Sequence, residues 1–314
     1  MNTALNKRYI LNISLVLSII IMSILIAACS VKDAKNNPSD NGSNSNDVTS
    51  NAKKTEFSVT DDEENLININ GSTIQDRFKT PEGFVRIKTE EGSFGEYLRN
   101  LPLKSHGSKV YYYNGRVKGR DVHEAVIDID VGTRDLQQCA DAVMRLRAEY
   151  LYGKGLYDRI HFNFVNGFKA DYVTWSQGNR IRVDGNNAYW VLQAEPSTDY
   201  ESFREYLNMV FAYANTLSLS QEMKKVPLTD MNIGDVFMKG EEPGHCVIVV
   251  DMAENLSTGE KKFIIAQSYM PAQDIHILKN PENKSGDPWY SLDFGERLIT
   301  PEWTFNKDQL MRFE

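Results

Sequence analysis

The 314-residue chain predicts an α+β fold in which a cysteine-bearing helix packs on an antiparallel sheet. Three observations point there. Stretches 135–152 and 200–217 carry apolar residues at helical spacing: Leu136, Ala140, Val143, Leu146 and Tyr150 in the first, Phe203, Leu207, Val210, Ala214 and Leu217 in the second. Short aromatic and β-branched runs bounded by polar turns lie around them. The C-terminal third then reads as strand after strand, with His245 to Val250 and Lys262 to Gln267 flanking a polar loop.

Taken in order, residues 93–101 predict a short helix, and 110–113 and 124–130 predict strands. In the second strand apolar residues alternate with Asp128 and Asp130. Helix 135–152 starts with Asp135 and Gln138 at capping-box spacing and stops at Gly153, so Cys139 falls in about its first turn. Residues 160–165 alternate as a strand with His161 outward, and 200–217 forms the second long helix. The 245–250 and 262–267 hairpin follows, then a strand over 274–278, with an irregular tail from Trp289. Pairing Val250 with Lys262 sets His245 opposite Gln267, and opposed residues share a face. A slip of one residue would part them.

The chain divides into 1–28, 29–54 and a single domain over 55–314. Lys7 and Arg8 precede an apolar run that ends in Ile26-Ala27-Ala28-Cys29, the order of a secretory signal. Cysteine after Ile-Ala-Ala resembles a bacterial lipobox, in which Cys29 becomes the lipidated N-terminus. The competing reading is a transmembrane anchor, since roughly 20 apolar residues span a bilayer. Either way the globular part is exported, and the lipobox reading attaches it to the membrane outside the cytoplasm. Residues 30–54, rich in Asn, Ser, Asp and Lys, offer too little apolar surface to offset ordering entropy and predict a disordered tether.

Cleavage before Cys29 removes two basic and no acidic residues and takes the formal charge from −8 to −10. That balance argues against nucleic acid as a partner, which needs clustered Lys and Arg. There is no glycine-rich phosphate loop and no Cys/His pattern with zinc spacing, so no cofactor is implied. With Cys29 lipidated, Cys139 and Cys246 remain, enough for one disulfide in an exported protein.

The candidate chemistry rests on Cys139, His245 and Gln267. A thiol near a helix N-terminus meets unpaired N–H groups and the positive end of the dipole, which favour thiolate. An imidazole starting a strand supplies a base, and a side-chain amide beside it fixes one tautomer. Each has an ordinary alternative: Cys139 borders the apolar stripe of its helix, and a strand histidine is often satisfied by backbone. His276 competes with Gln267 as orienter because Asp274, His276 and Leu278 share a face. Asp128 and Asp130, on one strand face, are a candidate cation pair against the plainer reading of a solvated face. Trp175, Trp190, Trp289 and Trp303 are candidate groove contacts for sugar or peptide against ordinary core packing.

Cysteine at a helix start, histidine at a later strand start and a polar residue on the next strand is the papain-like order. Gly234-Asp235-Val236-Phe237, Gly244-His245 and Phe263-Ile264-Ile265-Ala266-Gln267 resemble the corresponding stretch of NlpC-type and CHAP-type cysteine amidases. The resemblance implies a papain-like core with Cys139 as nucleophile, His245 as base and Gln267 as orienter. It departs at the nucleophile, where Gln138-Cys139-Ala140-Asp141 replaces the usual Asp-Cys-Ser-Gly, and in the long span to His245, which requires an insertion carrying Trp175 and Trp190. Across most of the globular region, Cys139 to Tyr152, Ile160 to Phe164 and Ala266 to His276 resemble an uncharacterised family of exported bacterial proteins, a domain of unknown function. The expectation is an exported lipoprotein acting as a thiol hydrolase or transferase on an amide or ester, with cell-wall peptide the substrate suggested by the amidases. The rival is a non-catalytic lipoprotein that binds peptide or glycan with the same fold.

Overall fold

In the computed structural model, which describes residues 66–283 and 286–314, every residue from His245 to Ala253 is buried. That segment is apolar at both parities, as expected of a strand covered on both sides. In chain order the elements are α1 (Ile74–Arg77), β1 (Phe84–Arg86), α2 (Phe94–Arg99), β2 (His123–Val126), α3 (Cys139–Gly153), β3 (His161–Asn163), β4 (Lys169–Asp171) and α4 (Tyr172–Ser176). Then come β5 (Asn179–Asp184), β6 (Asn187–Leu192), α5 (Tyr200–Tyr213), α6 (Thr216–Glu222), β7 (Met223–Lys225), β8 (Val236–Lys239), β9 (His245–Asn255) and β10 (Lys261–Gln267). The last are β11 (His276–Leu278), β12 (Tyr290–Ser291), β13 (Arg297–Ile299), β14 (Thr304–Asn306) and β15 (Leu310–Phe313).

Among the described residues nine strands join one antiparallel sheet, in the order β2-β11-β10-β9-β8-β15-β7, with β1 on the far end of β9 and β12 on the start of β10. The expected α+β class, with helices on a large antiparallel sheet, is what is seen. On one face, Val143, Met144 and Leu146 of α3 and Phe203, Leu207 and Val210 of α5 pack with Cys246, Ile248, Val250, Ala253, Ile264 and Ala266. On the other, Phe237, Val247, Val249, Met252, Phe263 and Ile265 meet Tyr290, Leu298, Phe305 and Leu310 from the C-terminal strands. The described residues fall within one compact unit, Thr60–Glu314. No helix among them is long and apolar enough to cross a membrane. The signal-like 1–28, the lipobox Cys29 and the 30–54 spacer lie outside the described residues.

Several expected boundaries move. Helix α3 starts at Cys139 rather than Asp135, because the capping box is Gln138 with Asp141, whose Oδ2 accepts from Gln138 N at 3.0 Å. Asp135 instead accepts from Ala272 N at 2.7 Å, holding a loop rather than a helix end. The expected strand at 110–113 reduces to isolated bridges, Tyr111 with Val117 and Tyr112 with Gln273. The expected helix 200–217 breaks at Ala214, where the backbone is extended, and restarts under an Asn215 cap that accepts from Leu217 N and Ser218 N. The tail is not irregular: β15 inserts between β8 and β7.

The β9–β10 register also differs. Lys262 pairs with Ala253, not Val250, and the ladder continues to Ile264 with Asp251 before resuming at Ile265 with Val249. Val250 is the extra residue of a β-bulge. Val250 and Ala253 consequently both enter the helix-side core, an odd spacing that unbroken alternation forbids. Extending the resumed ladder sets Gln267 against Val247, two residues from His245 and therefore on its face. Asp251, beside the bulge and fully buried, is held by Arg99 Nε at 2.7 Å and Arg86 Nε at 2.8 Å. Removing one partner of such a buried pair costs about 3–5 kcal/mol.

Candidate functional site

The thiol, the imidazole and the amide meet where α3 begins over the starting end of β9. The loop after β10 is fastened to the segment that leads into α3. Ser268 Oγ lies 3.0 Å from Gln137 O and 2.9 Å from Gln273 O, and Ala272 N donates to Asp135. Gly244, just before His245, passes so close to Thr216 Oγ1 and the Glu241 and Lys239 carbonyls that any side chain there would collide with them. These contacts fix where the segment leading into Cys139 and the histidine stand relative to Gln267.

Gln267 Oε1 is 2.8 Å from His245 Nε2. The orientation of this amide follows from its other neighbours. His276 Nδ1 is 2.9 Å from the Asp274 carbonyl, which only accepts, so Nδ1 carries the proton. Burial pushes the His276 pKa down to about 3, leaving Nε2 as a lone pair. Gln267 Nε2 faces that lone pair at 3.4 Å and donates to Glu302 Oε2 at 2.7 Å. Both amide hydrogens therefore point to acceptors, and Oε1 is the atom turned to His245. His245 Nε2 must then donate, which leaves Nδ1 as the basic nitrogen.

Cys139 interacts with the side chains of Cys246 and His245 and with the Ala140 N–H. Hydrogen bonding from Cys246 first, and from His245 with its charge, lowers the Cys139 pKa well below the ordinary thiol value, against the opposing effect of burial. Burial, then the hydrogen bond with Cys139, raises Cys246 well above it. Asp141, one turn into α3, is pushed well above the usual carboxylate range by burial, with the Cys139 charge adding to the push. The negative charge in this corner thus favours the Cys139 sulfur. Both cysteines are free. They do not form the disulfide that the sequence left open.

The pocket is tight. Cys139 is 9% exposed and His245 and Gln267 are 1% exposed. The imidazole sits among Tyr269, Trp303 and Phe305, with ring centroids 4.6, 5.3 and 5.9 Å away. Behind Gln267, Lys118 Nζ reaches both Glu302 oxygens and Gln273 Oε1 at 2.9 Å, and Arg120 approaches Glu302 from the solvent side at 3.3 Å.

Of the residues singled out in the sequence, Cys139, His245 and Gln267 come together. His276 joins them by supporting the amide, not by orienting the imidazole directly. Glu302, Lys118 and Tyr269 were not anticipated. Glu302 lies in a Pro-Glu-Trp turn of the C-terminal tail, with no spacing pattern linking it to position 267. Trp303 touches His245, whereas Trp175 and Trp289 donate to Ser202 O and Lys79 O in the core. His161 faces Glu222 at 3.5 Å. Asp128 and Asp130 line a separate cavity of about 620 Å³ beside the far half of α3, to which none of the three central residues contributes. Among the described residues no group of three or more His, Cys, Asp or Glu could hold a metal ion.

A family model described as Domain of unknown function (4846) matches residues 74–312. The chain belongs to this family. The Domain of unknown function (4846) span includes all of α3, the whole of the sheet except the last residue of β15, and every residue of the site just described. No curated protein and no solved structure matches the chain.

Proposed function

We propose that the chain is a thiol hydrolase or transferase with a papain-like core, acting at an amide or ester carbonyl through Cys139. The observation that carries this is the Gln267 amide. It is held from behind by Glu302 and His276 and presents its carbonyl to His245 Nε2, leaving Nδ1 as the base for the thiol. A satisfied structural histidine does not need so fixed a tautomer. The resemblance to NlpC-type and CHAP-type amidases supports the same assignment.

In this reading the Cys139 proton moves to His245 Nδ1, and the thiolate sulfur bonds to the carbonyl carbon as the C–O π pair shifts to oxygen. The Cys139 backbone N–H, at the first position of α3, donates to that oxyanion. The oxyanion collapses, the bond to the leaving nitrogen or oxygen breaks, and the imidazolium gives that atom its proton. Water, deprotonated by His245, or an acceptor nucleophile then opens the thioester and restores the thiol. Glu302 and Gln267 hold the ring throughout without exchanging protons. Export and lipid attachment at Cys29 would present the site to cell-wall peptide, which is the substrate class proposed by analogy.

One observation favours the rival, a non-catalytic lipoprotein that binds peptide or glycan: His245 and Gln267 are almost wholly covered. The two readings part on reactivity. Alkylation of Cys139 in the full-length protein near pH 7 should be fast and should slow in His245→Ala, the two compared at a temperature where both remain folded. Equal, slow rates in both proteins would leave the binding reading.

A further inference from the structure

Cys246 follows His245 on β9 and points to the other face, into the helix-side core that also holds Cys139. Because α3 begins over the starting end of β9, the Cys139 sulfur touches both neighbours of this dipeptide, the imidazole and the second thiol. Both sulfurs are free. Ordinary packing would place any small apolar side chain at position 246, yet here it is the other cysteine of the described residues that lies in side-chain contact with the candidate nucleophile. We propose that Cys139 and Cys246 form an oxidative modification site, closing to a reversible disulfide when the protein meets a hydroperoxide.

The chemistry balances within the pair. The Cys139 thiolate attacks one peroxide oxygen, the O–O bond breaks, and hydroxide leaves with the electron pair, giving a sulfenic acid. Cys246 then attacks that sulfur, its proton passing to the departing hydroxide, and a disulfide and water result. The hydroxide of the first step takes up the proton that Cys139 lost on ionising, so that with hydrogen peroxide the two thiols give up two electrons and two waters result. The two side chains to be joined are already in contact. It turns the Cys139 sulfur from the imidazole toward the opposite sheet face. That bond formation matters for activity rests on the thiol-enzyme reading; the bond itself does not.

The test uses the full-length protein exposed to hydrogen peroxide, blocked with N-ethylmaleimide and digested without reductant. Mass spectrometry should find a peptide pair joined through Cys139 and Cys246, lighter than the two free peptides by two hydrogens, and dithiothreitol should restore Cys139 alkylation. In Cys246→Ala and Cys246→Ser, Cys139 should instead accumulate as sulfinic acid that dithiothreitol does not recover. Wild-type protein that yields sulfinic Cys139, or unmodified Cys139, without the joined peptide overturns the proposal, whatever the variants do. Normal disulfide formation in a protein whose alkylation ignores His245→Ala would end the enzyme reading and keep the modification site.

Discussion

Gln267 Oε1 lies 2.8 Å from His245 Nε2 while its amide nitrogen lies 2.7 Å from Glu302 Oε2. One uncharged side chain thereby connects a buried carboxylate to an imidazole without placing the negative charge on the ring. A carboxylate in direct contact would raise the histidine's proton affinity. An amide fixes the ring without adding a charge to it, and the lowered Cys139 pKa rests on the hydrogen bonds from Cys246 and His245.

The first prediction concerns the thiol. Because the Cys139 pKa lies below the ordinary thiol value, its reactive form is present above that lowered pKa and is lost as pH falls through it. Alkylation of the wild-type protein should therefore persist into neutral and mildly acidic solution. His245→Ala should move the profile toward higher pH and slow the reaction about 10- to 100-fold near pH 7. Cys139→Ala, measured by thermal melting, should cost no more than roughly 1–2 kcal/mol.

Gln267 separates orientation from charge. Gln267→Ala should slow Cys139 alkylation less than His245→Ala does, because the ring remains but loses its fixed tautomer. Gln267→Glu sets a second carboxylate against Glu302 and should destabilise the fold by about 2–4 kcal/mol, read by denaturant titration. A Gln267→Glu protein as stable and reactive as wild type would show that the amide orientation is not set as described.

Lys118 and Glu302, both almost fully covered, form a buried ion pair. Glu302→Gln leaves the ammonium without its counter-charge and should cost about 3–5 kcal/mol. Adding Lys118→Met should recover much of that loss, and a double-mutant cycle by chemical denaturation measures the coupling.

Much of this was legible beforehand, and what was missed has specific causes. Helical spacing revealed α3 and the start of α5, and the strand-by-strand C-terminal third revealed β9, β10 and β11. The trio Cys139, His245 and Gln267 was readable because each stands at the end of an element, where short-range rules are strongest. The β9–β10 register was not readable, because both faces of β9 are apolar and a pattern without alternation does not report a bulge. Glu302 was hidden for a different reason. It lies in the turn between β13 and β14, and its contacts with Lys118 and Gln267 join segments far apart in the chain, which leaves no local trace.

His276 gives the fold an acid limit. Its folded pKa is about 3, against about 6.5 in the unfolded chain, so the unfolded state binds the extra proton between those values. The His276 contribution is fully present above the unfolded value and is lost as pH falls through this window, by roughly 3–5 kcal/mol in total. His276→Gln, which can still donate and accept, should flatten that part of the stability–pH curve measured by chemical denaturation.

If Cys29 is lipidated, as proposed, Cys29→Ser should abolish incorporation of a labelled fatty acid and release or misprocess the chain. Undiminished labelling would remove the lipid attachment. Residues 57–314 expressed alone should still fold cooperatively, since residues 30–54 offer little apolar surface to pack.

The Val250 bulge carries a consequence for how this chain can vary. Between the bulge and the strand start, His245 lies on the same side as Gln267 by count alone. Substitutions that keep the count leave the two residues neighbours whatever their chemistry. Loss or gain of a single residue in that stretch would send the imidazole to the helix side and bring Cys246 round toward the amide. Length in this short segment is thus under tighter constraint than composition, and a working relative should preserve the number of residues from bulge to histidine even where it has exchanged every apolar side chain between them.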